Sequence, residues 1–484
     1  MSIRQPLILK ILCTLGLVCM ANTAYAANVT HYYTISVDYS LNRLSVEARF
    51  SHPVSSITAR SRSAGQFLSD VRGCGESPNI RMRNRRMMLP DGDIRCLNYT
   101  VDLDRVAKEY HGAKNFSEQN VVASPSYWMW RPELTNGTKI HVSFRMPESV
   151  QVSVPWQPID ADKNTYIVGG SPESANAPAI FGKFDYREIE VPGSVIRLSI
   201  VSGDKAMNNE AIARWIQATT TDVSLVYGRF PNPSPQVVVY PASSSRGGVG
   251  FGRVVRDGGE SVELLINPDD DVATFFDDWT ATHEFSHMLL PYLSSEYHWI
   301  SEGFSQYYQN VLLTRAGAYD AERMWQNLYA GFERGRKSHP ELSPNQATSE
   351  SIRSSRMKVY WSGAALALMA DVQLRERSNG EESLDDVLDR LQACCLPSTR
   401  TWSGLELFAQ LDTLIDEPLF VPLYRRYADT AGFPDTHEVY SRLGLGVSRD
   451  KVRIKRNGEL KSIRDAMTVT DDPTAQRRVQ LAAN

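Results

Sequence analysis

Two histidines stand four residues apart at His283 and His287, and Glu284 directly follows the first. Residues four apart lie on one face of a helix, so both imidazoles can meet at a single metal ion. Glu284 cannot share that point as a ligand, but its carboxylate can accept a proton from a water molecule at the metal. The His-Glu-x-x-His spacing therefore predicts a zinc site with a general base.

A third ligand is expected on the next helix, because a catalytic zinc ion needs three protein ligands and one open position. The first predicted helix runs from about residue 271 and ends at Pro291, and Glu302 begins the second within Trp-Ile-Ser-Glu-Gly. Two antiparallel helices can bring this carboxylate to the histidine pair. We therefore predict one zinc ion (Zn2+) per chain, bound by His283, His287 and Glu302. His298 in the intervening loop is interpreted as a neighbour of the site, a substrate-side group or an exposed residue. The alternative interpretation is two surface histidines on an amphipathic helix.

The elements around this site change in type along the chain. Residues 27–203 alternate apolar and polar side chains with period two, which predicts an antiparallel β N-terminal domain. Residues 204–318 combine strands, a glycine-rich loop and the two metal-binding helices. Residues 319–435 are predicted to form a helical bundle and residues 436–484 a short C-terminal extension. These segments indicate a multidomain α+β protein.

Residues 1–26 have the features of a secretory signal peptide. Arg4 and Lys10 precede a short apolar run, and Ala24 and Ala26 supply the small residues of a cleavage site. The run is too short to span a bilayer comfortably. We therefore expect an exported protein, periplasmic or secreted, that is cleaved near Ala26 and then has no integral membrane segment.

The remaining composition is that of an ordinary globular protein. Lys and Arg number 52 and Asp and Glu number 56, a formal net charge of −4, without a basic stripe. Nucleic acid is therefore not expected as a partner.

Four cysteines remain after the predicted signal peptide. Cys74 and Cys96 are predicted to form a disulfide, which would stabilise the fold by about 3 kcal/mol in an oxidising compartment. The alternative for this pair is two buried free thiols. Cys394 and Cys395 are adjacent, and either packing at a helix end or a strained bridge without catalysis is expected.

The metal-binding stretch, His283 to His287 followed by Trp299–Tyr308, resembles the gluzincin peptidases, the group of thermolysin and aminopeptidase N. The strand Arg43–Phe50 and the segment Val359–Leu391 resemble the glycyl aminopeptidase family within that group. This resemblance covers about residues 30 to 435. It implies a thermolysin-like zincin catalytic domain between the β domain and an α-helical C-terminal domain. It also implies a zinc-dependent peptidase with Glu284 as general base.

By the same resemblance, Tyr360 takes the place of a tyrosine that donates a hydrogen bond to the oxyanion of the reaction. The alternative for Tyr360 is a role in helix packing, and Tyr307 and Tyr308 are competing candidates on the ligand helix. Ser362 stands where the family usually has lysine, which should alter the setting of Tyr360 without abolishing the chemistry.

A second departure concerns the free amine of the substrate. Related aminopeptidases carry a Gly-x-Met-Glu-Asn loop whose glutamate grips that amine, whereas this chain has Gly-Gly-Val-Gly-Phe-Gly-Arg there. The backbone at Gly250, Phe251 and Gly252 is still expected to bind a peptide in an extended pose. Glu260 and Glu263 are candidates for an amine anchor.

The favoured function is an aminopeptidase for small N-terminal residues of peptide or protein substrates. The alternatives are an endo- or oligopeptidase, a binding protein that kept the zinc fold, or a hydrolase of non-peptide substrates. The oligomeric state is not predicted.

Overall fold

The computed structural model describes residues 29–75, 80–89, 94–109, 119–134, 138–159, 162–169, 177–203, 205–242, 247–351 and 353–469. The predicted signal peptide, its cleavage site and the last residues of the predicted C-terminal extension lie outside these ranges. Among the helices that are described, none is both long and apolar enough to cross a membrane.

The N-terminal part consists mainly of strands whose alternating side chains face a common core, as their period-two patterns predict. Its elements are β1 (Thr30–Val37), β2 (Arg43–Val54), β3 (Ser56–Thr58), β4 (Leu68–Gly73), β5 (Arg81–Arg83), β6 (Arg86–Met88), β7 (Ile94–Asp102), α1 (Leu103–Glu109), β8 (Asn120–Val122), α2 (Pro125–Trp128), β9 (Lys139–Arg145), β10 (Gln151–Ser153), β11 (Gln157–Ile159), β12 (Asp162–Val168) and β13 (Ile180–Gly182).

The main N-terminal sheet has the strand order β11-β12-β9-β1-β2-β7-β4. Its pairings are antiparallel except that β1 lies parallel to β9, so the sheet is mixed rather than wholly antiparallel. Two small sheets, β10-β13-β8 and β3-β6-β5, accompany it. Cys74, beyond the end of β4, is joined by a disulfide to Cys96 in β7, with a Cα–Cα distance of 5.4 Å.

A second, five-stranded sheet supports the metal-binding helices. Its order is β14-β15-β16-β18-β17. Its strands and the helices that follow or precede them are β14 (Asp185–Val191), β15 (Ser194–Ile200), α3 (Asn209–Val223), β16 (Gln236–Pro241), β17 (Val249–Arg256), β18 (Glu260–Ile266), α4 (Val272–Asp277), α5 (Thr280–Ser286) and α6 (His298–Arg315).

Two strands of the second sheet lie before the predicted boundary at residue 203. β14 and β15 precede residue 203, but β15 pairs in parallel with β16, so both strands belong to the second sheet. Period-two alternation predicts a strand but does not identify the strand with which it pairs.

The C-terminal part is mostly helical and continues the hydrophobic core of the second sheet. Its elements are α7 (Ala321–Lys337), α8 (Pro344–Ser351), α9 (Arg356–Arg377), α10 (Leu384–Cys395), α11 (Gly404–Asp412), α12 (Phe420–Tyr427), α13 (His437–Arg442), β19 (Leu445–Ser448), β20 (Lys451–Ile454) and α14 (Lys461–Thr468). Cys394 and Cys395 are bridged to each other at the end of α10.

Candidate active site

The first metal-binding helix is short because the helical backbone is interrupted at Asp278, just before it. The sequence predicts one helix from about residue 271 to Pro291, but α4 ends at Asp277 and Asp278 has an extended backbone. One Asp278 carboxylate oxygen accepts a hydrogen bond from the Thr280 amide at 2.7 Å, and the other accepts one from the Val249 amide at 3.3 Å. Asp278 therefore holds the first residue of α5 and ties it to strand β17.

The three predicted ligands come together at the end of α5 and the start of α6. His283 lies in α5, and His287 begins the 3-10 turn that follows it. A Glu302 carboxylate oxygen lies 3.1 Å from His283 Nε2 and 3.6 Å from His287 Nε2. The ligand atoms of this group all lie within 4.8 Å of one another.

Polar side chains lie near both imidazoles, and one of them orients His287 by a hydrogen bond. His287 Nδ1 lies 3.0 Å from Ser301 Oγ, which leaves Nε2 directed at Glu302. His283 Nδ1 is buried without a hydrogen-bond partner among the described residues, and burial lowers the pKa of His283 while Glu302, Glu284 and Gln309 raise it above its ordinary value. Such outer partners select the tautomer of a ligating histidine. Sequence reasoning missed Ser301 and Gln309, although Gln309 stands seven residues after Glu302 and hence on the same helix face.

The donor set fits zinc. Two imidazole nitrogens and one carboxylate oxygen, with room for a fourth ligand, are typical of catalytic zinc sites. Tetrahedral ligands at about 2.1 Å from an ion lie about 3.4 Å from one another, which is close to the two separations from Glu302. The buried Nδ1 atoms face away from this point, so the nitrogens available for a metal are those that face Glu302.

Two glycines bring Tyr360 to the same point. α6 and α9 cross where a Cβ atom added to Gly303 would lie 2.2 Å from the Gly363 Cα atom. A Cβ atom on Gly363 would lie 2.0 Å from the Trp299 carbonyl oxygen. Only glycine at both positions allows so close an approach. Tyr360 lies one turn before Gly363 on α9, and Glu302 directly precedes Gly303 on α6. The crossing therefore places Tyr360 beside Glu302.

Tyr360 is part of the site. Its ring stacks on the His283 ring at 5.9 Å with an interplanar angle of 11°. Burial, the nearby carboxylates and a side-chain hydrogen bond with Glu302 raise its pKa, so the hydroxyl stays protonated and can donate. The competing Tyr307 and Tyr308 instead donate to Asp371 and Asp385, at 2.7 and 2.8 Å.

The two glutamates of the site have opposite electrostatic environments. Burial raises the pKa of Glu284 to about 7. Burial also acts on Glu302, but His287 and His283 outweigh it and lower the pKa of Glu302 to about 2. Glu302 is thus a stable anion suited to binding a cation, and Glu284 a group that can gain and lose a proton near neutral pH.

The predicted glycine-rich loop is largely a strand. Gly250, Phe251 and Gly252 belong to β17, which pairs with β18 and forms one edge of the five-stranded sheet. A Cβ atom on Gly252 would lie 2.6 Å from Glu284 Cγ, so this strand runs directly alongside the predicted base. Phe251 is 50% exposed.

The two candidates for an amine anchor are already paired with arginines. Glu263 is buried and forms an ion pair with Arg253, and Tyr240 donates a hydrogen bond to it at 3.2 Å. Glu260 pairs with Arg256 at 2.6 Å. Neither carboxylate is therefore a free negative charge for a substrate amine.

His298 stands one turn before Glu302 at the start of α6. It lies outside the three-ligand group, and burial lowers its pKa while Glu302 opposes this effect. The structure therefore places it beside the site.

The family model for M61 glycyl aminopeptidases matches residues 291–366. This segment contains Glu302 and Tyr360 but begins after His287. No curated protein sequence matches the chain. The match confirms, over this segment, the predicted resemblance to the glycyl aminopeptidase family.

Solved structures confirm the predicted fold. An aminopeptidase N family protein from Idiomarina loihiensis is 14% identical, with a TM-score of 0.60 over 86% of this chain and 79% of its own. An M1 zinc metallopeptidase from Deinococcus radiodurans is 14% identical, with a TM-score of 0.51 over 84% of this chain and 94% of its own.

Proposed function

We propose that the chain is a zinc metallopeptidase in which His283, His287 and Glu302 hold the metal and Glu284 is the general base. The observation that carries this proposal is the His–His–Glu group with Glu284 and Tyr360 at its side. Zinc, when bound there, supplies a Lewis acid that polarises the substrate carbonyl and promotes ionisation of water.

The protein groups then divide the remaining work. Glu284 accepts the proton of the attacking water on its carboxylate, and the same carboxylic acid afterwards passes that proton to the nitrogen of the leaving amine. The Tyr360 hydroxyl donates a hydrogen bond to the oxygen on which negative charge develops. The pKa of Glu284, about 7 in this environment, suits transfer in both directions.

The substrate backbone is proposed to lie along β17. An edge strand offers unpaired amide and carbonyl groups to which an extended peptide can add. At Gly252 the strand passes beside Glu284, so a peptide in this position would place a carbonyl next to the base. The exposed ring of Phe251 is available to contact substrate side chains.

The favoured subtype is an aminopeptidase for small N-terminal residues, which rests on the resemblance to glycyl aminopeptidases and on the family match. Internal cleavage by an endo- or oligopeptidase is the second candidate. It is favoured by one observation: Glu260 and Glu263, the candidate amine anchors, are both neutralised by arginines.

A peptide-library digest with the zinc-loaded protein tests the proposal. We expect hydrolysis that a chelator abolishes and added zinc restores. Release of single N-terminal residues would support the aminopeptidase, and internal fragments would support the second candidate. Glu284→Gln should retain zinc and lower turnover by about 10³-fold or more. Glu296→Gln, an exposed control in the 3-10 turn before α6, should retain both zinc and turnover. Near-normal turnover in Glu284→Gln would refute the assigned base.

We also propose export to the periplasm or the medium. The support is the sequence of residues 1–26 together with the two disulfides, which persist in oxidising compartments. Mass spectrometry of the mature chain should find Ala27 at its N-terminus. A mature chain that still carries residues 1–26 would contradict the proposal.

A further inference from the structure

A cavity separate from the candidate active site lies at the edge of the five-stranded sheet opposite β17. It has a volume of about 630 Å³, which is in the range of small-molecule sites. The order of the sheet puts β14 and β15 at this edge, and four strand spacings separate β14 from β17, or about 19 Å. The cavity is therefore distinct from the candidate active site. Its walls include Tyr166, Tyr186, Glu188, Val195, Arg197 and Pro233.

Arg197 carries a buried charge in this cavity. Its side chain donates to the Ser234 carbonyl at 3.0 Å, to the Ser234 hydroxyl at 3.0 Å and to the Val154 carbonyl at 2.8 Å. The residue is 3% exposed, and no carboxylate of the described residues forms an ion pair with it. A guanidinium has five N–H groups, so two remain for a ligand. Buried charges are ordinarily paired, which points to an anionic ligand group.

Glu188 supplies the opposite charge without neutralising Arg197. The two residues are directly opposite in the antiparallel β14–β15 ladder, so their side chains lie on the same face of the sheet. Yet Glu188 is exposed, and its carboxylate accepts a hydrogen bond from the Tyr186 hydroxyl at 3.2 Å. One positive and one negative group thus face the same cavity side by side.

We propose that this cavity binds a free α-amino acid with an aromatic or aliphatic side chain. Its carboxylate would accept hydrogen bonds from Arg197, its ammonium group would lie against Glu188, and its side chain would contact the tyrosine rings and Val195. An α-amino acid carries one negative and one positive group, which complement Arg197 and Glu188 at directly opposite positions of the β14–β15 ladder. A dianion would place negative charge against Glu188, and a neutral ligand would leave Arg197 without a countercharge. The proposal does not depend on the proposed peptidase activity.

Calorimetric titration of the zinc-loaded full chain tests this assignment. L-phenylalanine should bind saturably, and N-acetyl-L-phenylalanine and 2-phenylethylamine, which each lack one of its two charges, should bind at least about tenfold more weakly. Glu188→Gln should weaken L-phenylalanine binding by a similar factor. Glu190→Gln, an exposed control on the same strand that does not line the cavity, should leave binding unchanged.

A blocking variant separates this cavity from the catalytic cleft. Val195→Trp fills the cavity from its exposed rim, where Val195 is 36% exposed, and should abolish binding while leaving peptide hydrolysis unchanged. Absence of saturable binding to the wild-type chain would overturn the proposal. Binding that neither Glu188→Gln nor Val195→Trp weakens would place the amino acid elsewhere and overturn it as well. Glu188 is exposed, so its variant tests the site even where Val195→Trp does not fold.

Discussion

Glu284 and Glu302 illustrate how neighbours assign different tasks to two identical carboxyl groups. Burial raises the pKa of Glu284 to about 7, so an appreciable fraction is protonated just below neutrality. A base must be deprotonated to accept a proton, so kcat/KM should fall as the pH is lowered through this pKa. A bound cation favours the deprotonated carboxylate and so lowers the pKa of Glu284, which moves this fall in kcat/KM to lower pH. A pH profile of kcat/KM should therefore show an acid limb at or below about pH 7. A limb centred well above that value would contradict the assignment.

Tyr360 allows a sharper test of a single hydrogen bond. Tyr360→Phe keeps the ring that stacks on His283 but removes the donor, so turnover should fall by about 10²–10³-fold with zinc affinity nearly unchanged. Tyr329→Phe is a matched control, since that hydroxyl makes only a 3.4 Å contact with Asp450 on another surface. Steady-state kinetics and zinc titration check both variants. An unchanged turnover in Tyr360→Phe would refute the role of the hydroxyl as a donor and would indicate that Tyr360 only packs between helices.

The sequence predicted residues whose roles follow from local spacing. His283 and Glu284 lie in α5, His287 begins the turn that continues it, and Glu302 follows on the next helix, so the ligand group could be predicted without a tertiary structure. The role of Tyr360 was predicted only from the resemblance to the glycyl aminopeptidase family. The cavity around Arg197 could not be predicted, because segments distant in the sequence form it. The feature that marks it is a buried arginine that has no ion pair within the described residues, which only a tertiary structure reveals.

The crossing of α6 and α9 shows how helices set the distances between side chains. Helix axes usually pack 8–10 Å apart, and the two glycines at the crossing permit a closer approach. Gly303→Ala should force the helices apart and destabilise the fold by about 1–3 kcal/mol. Because Glu302 and Tyr360 lie on opposite helices, zinc affinity and turnover should also fall.

Thermal unfolding and zinc titration check the Gly303 variant. Gly247→Ala is a matched control, because its Cβ atom would meet its nearest neighbours at 3.7 and 3.9 Å, which is ordinary contact. Equal stability and zinc affinity for the two variants would show that the crossing tolerates a methyl group and does not set the site.

The interrupted helix before the site shows what periodicity misses. Hydrophobic spacing runs through residues 271–290 and predicts one helix, but Asp278 bonds to amides of both α5 and β17. An aspartate that bonds to a nearby backbone amide offers the chain an alternative to helix, and the bond to β17 adds a tertiary contact that the hydrophobic spacing does not reveal. The strand at Gly250–Gly252 was missed for a related reason, since glycines reduce strand propensity while pairing with β18 compensates for it.

The predicted catalytic and helical domains share one continuous hydrophobic core. A buried group of charges lies within it and joins α6, α9 and α10. Arg315 on α6 binds Asp385 at 2.8 Å, Arg375 on α9 binds Asp371 at 3.0 Å, and Arg375 also approaches Asp385 at 3.8 Å. Two positive and two negative charges balance, and Tyr308 completes the group by donating to Asp385.

Removing one member of this group should weaken the whole molecule rather than one helix. Asp385→Asn would leave Arg315 buried with a neutral partner, which should lower the free energy of unfolding by about 3–5 kcal/mol. Asp389→Asn, one turn later on α10, removes only a partly exposed pair with Arg229 and should cost less than about 1 kcal/mol. Denaturant unfolding of zinc-saturated protein measures both. Because α6 carries Glu302 and α9 carries Tyr360, the less stable variant should also release zinc to a chelator faster. Similar losses for the two substitutions would mean that water reaches the group and that it does not join the helices.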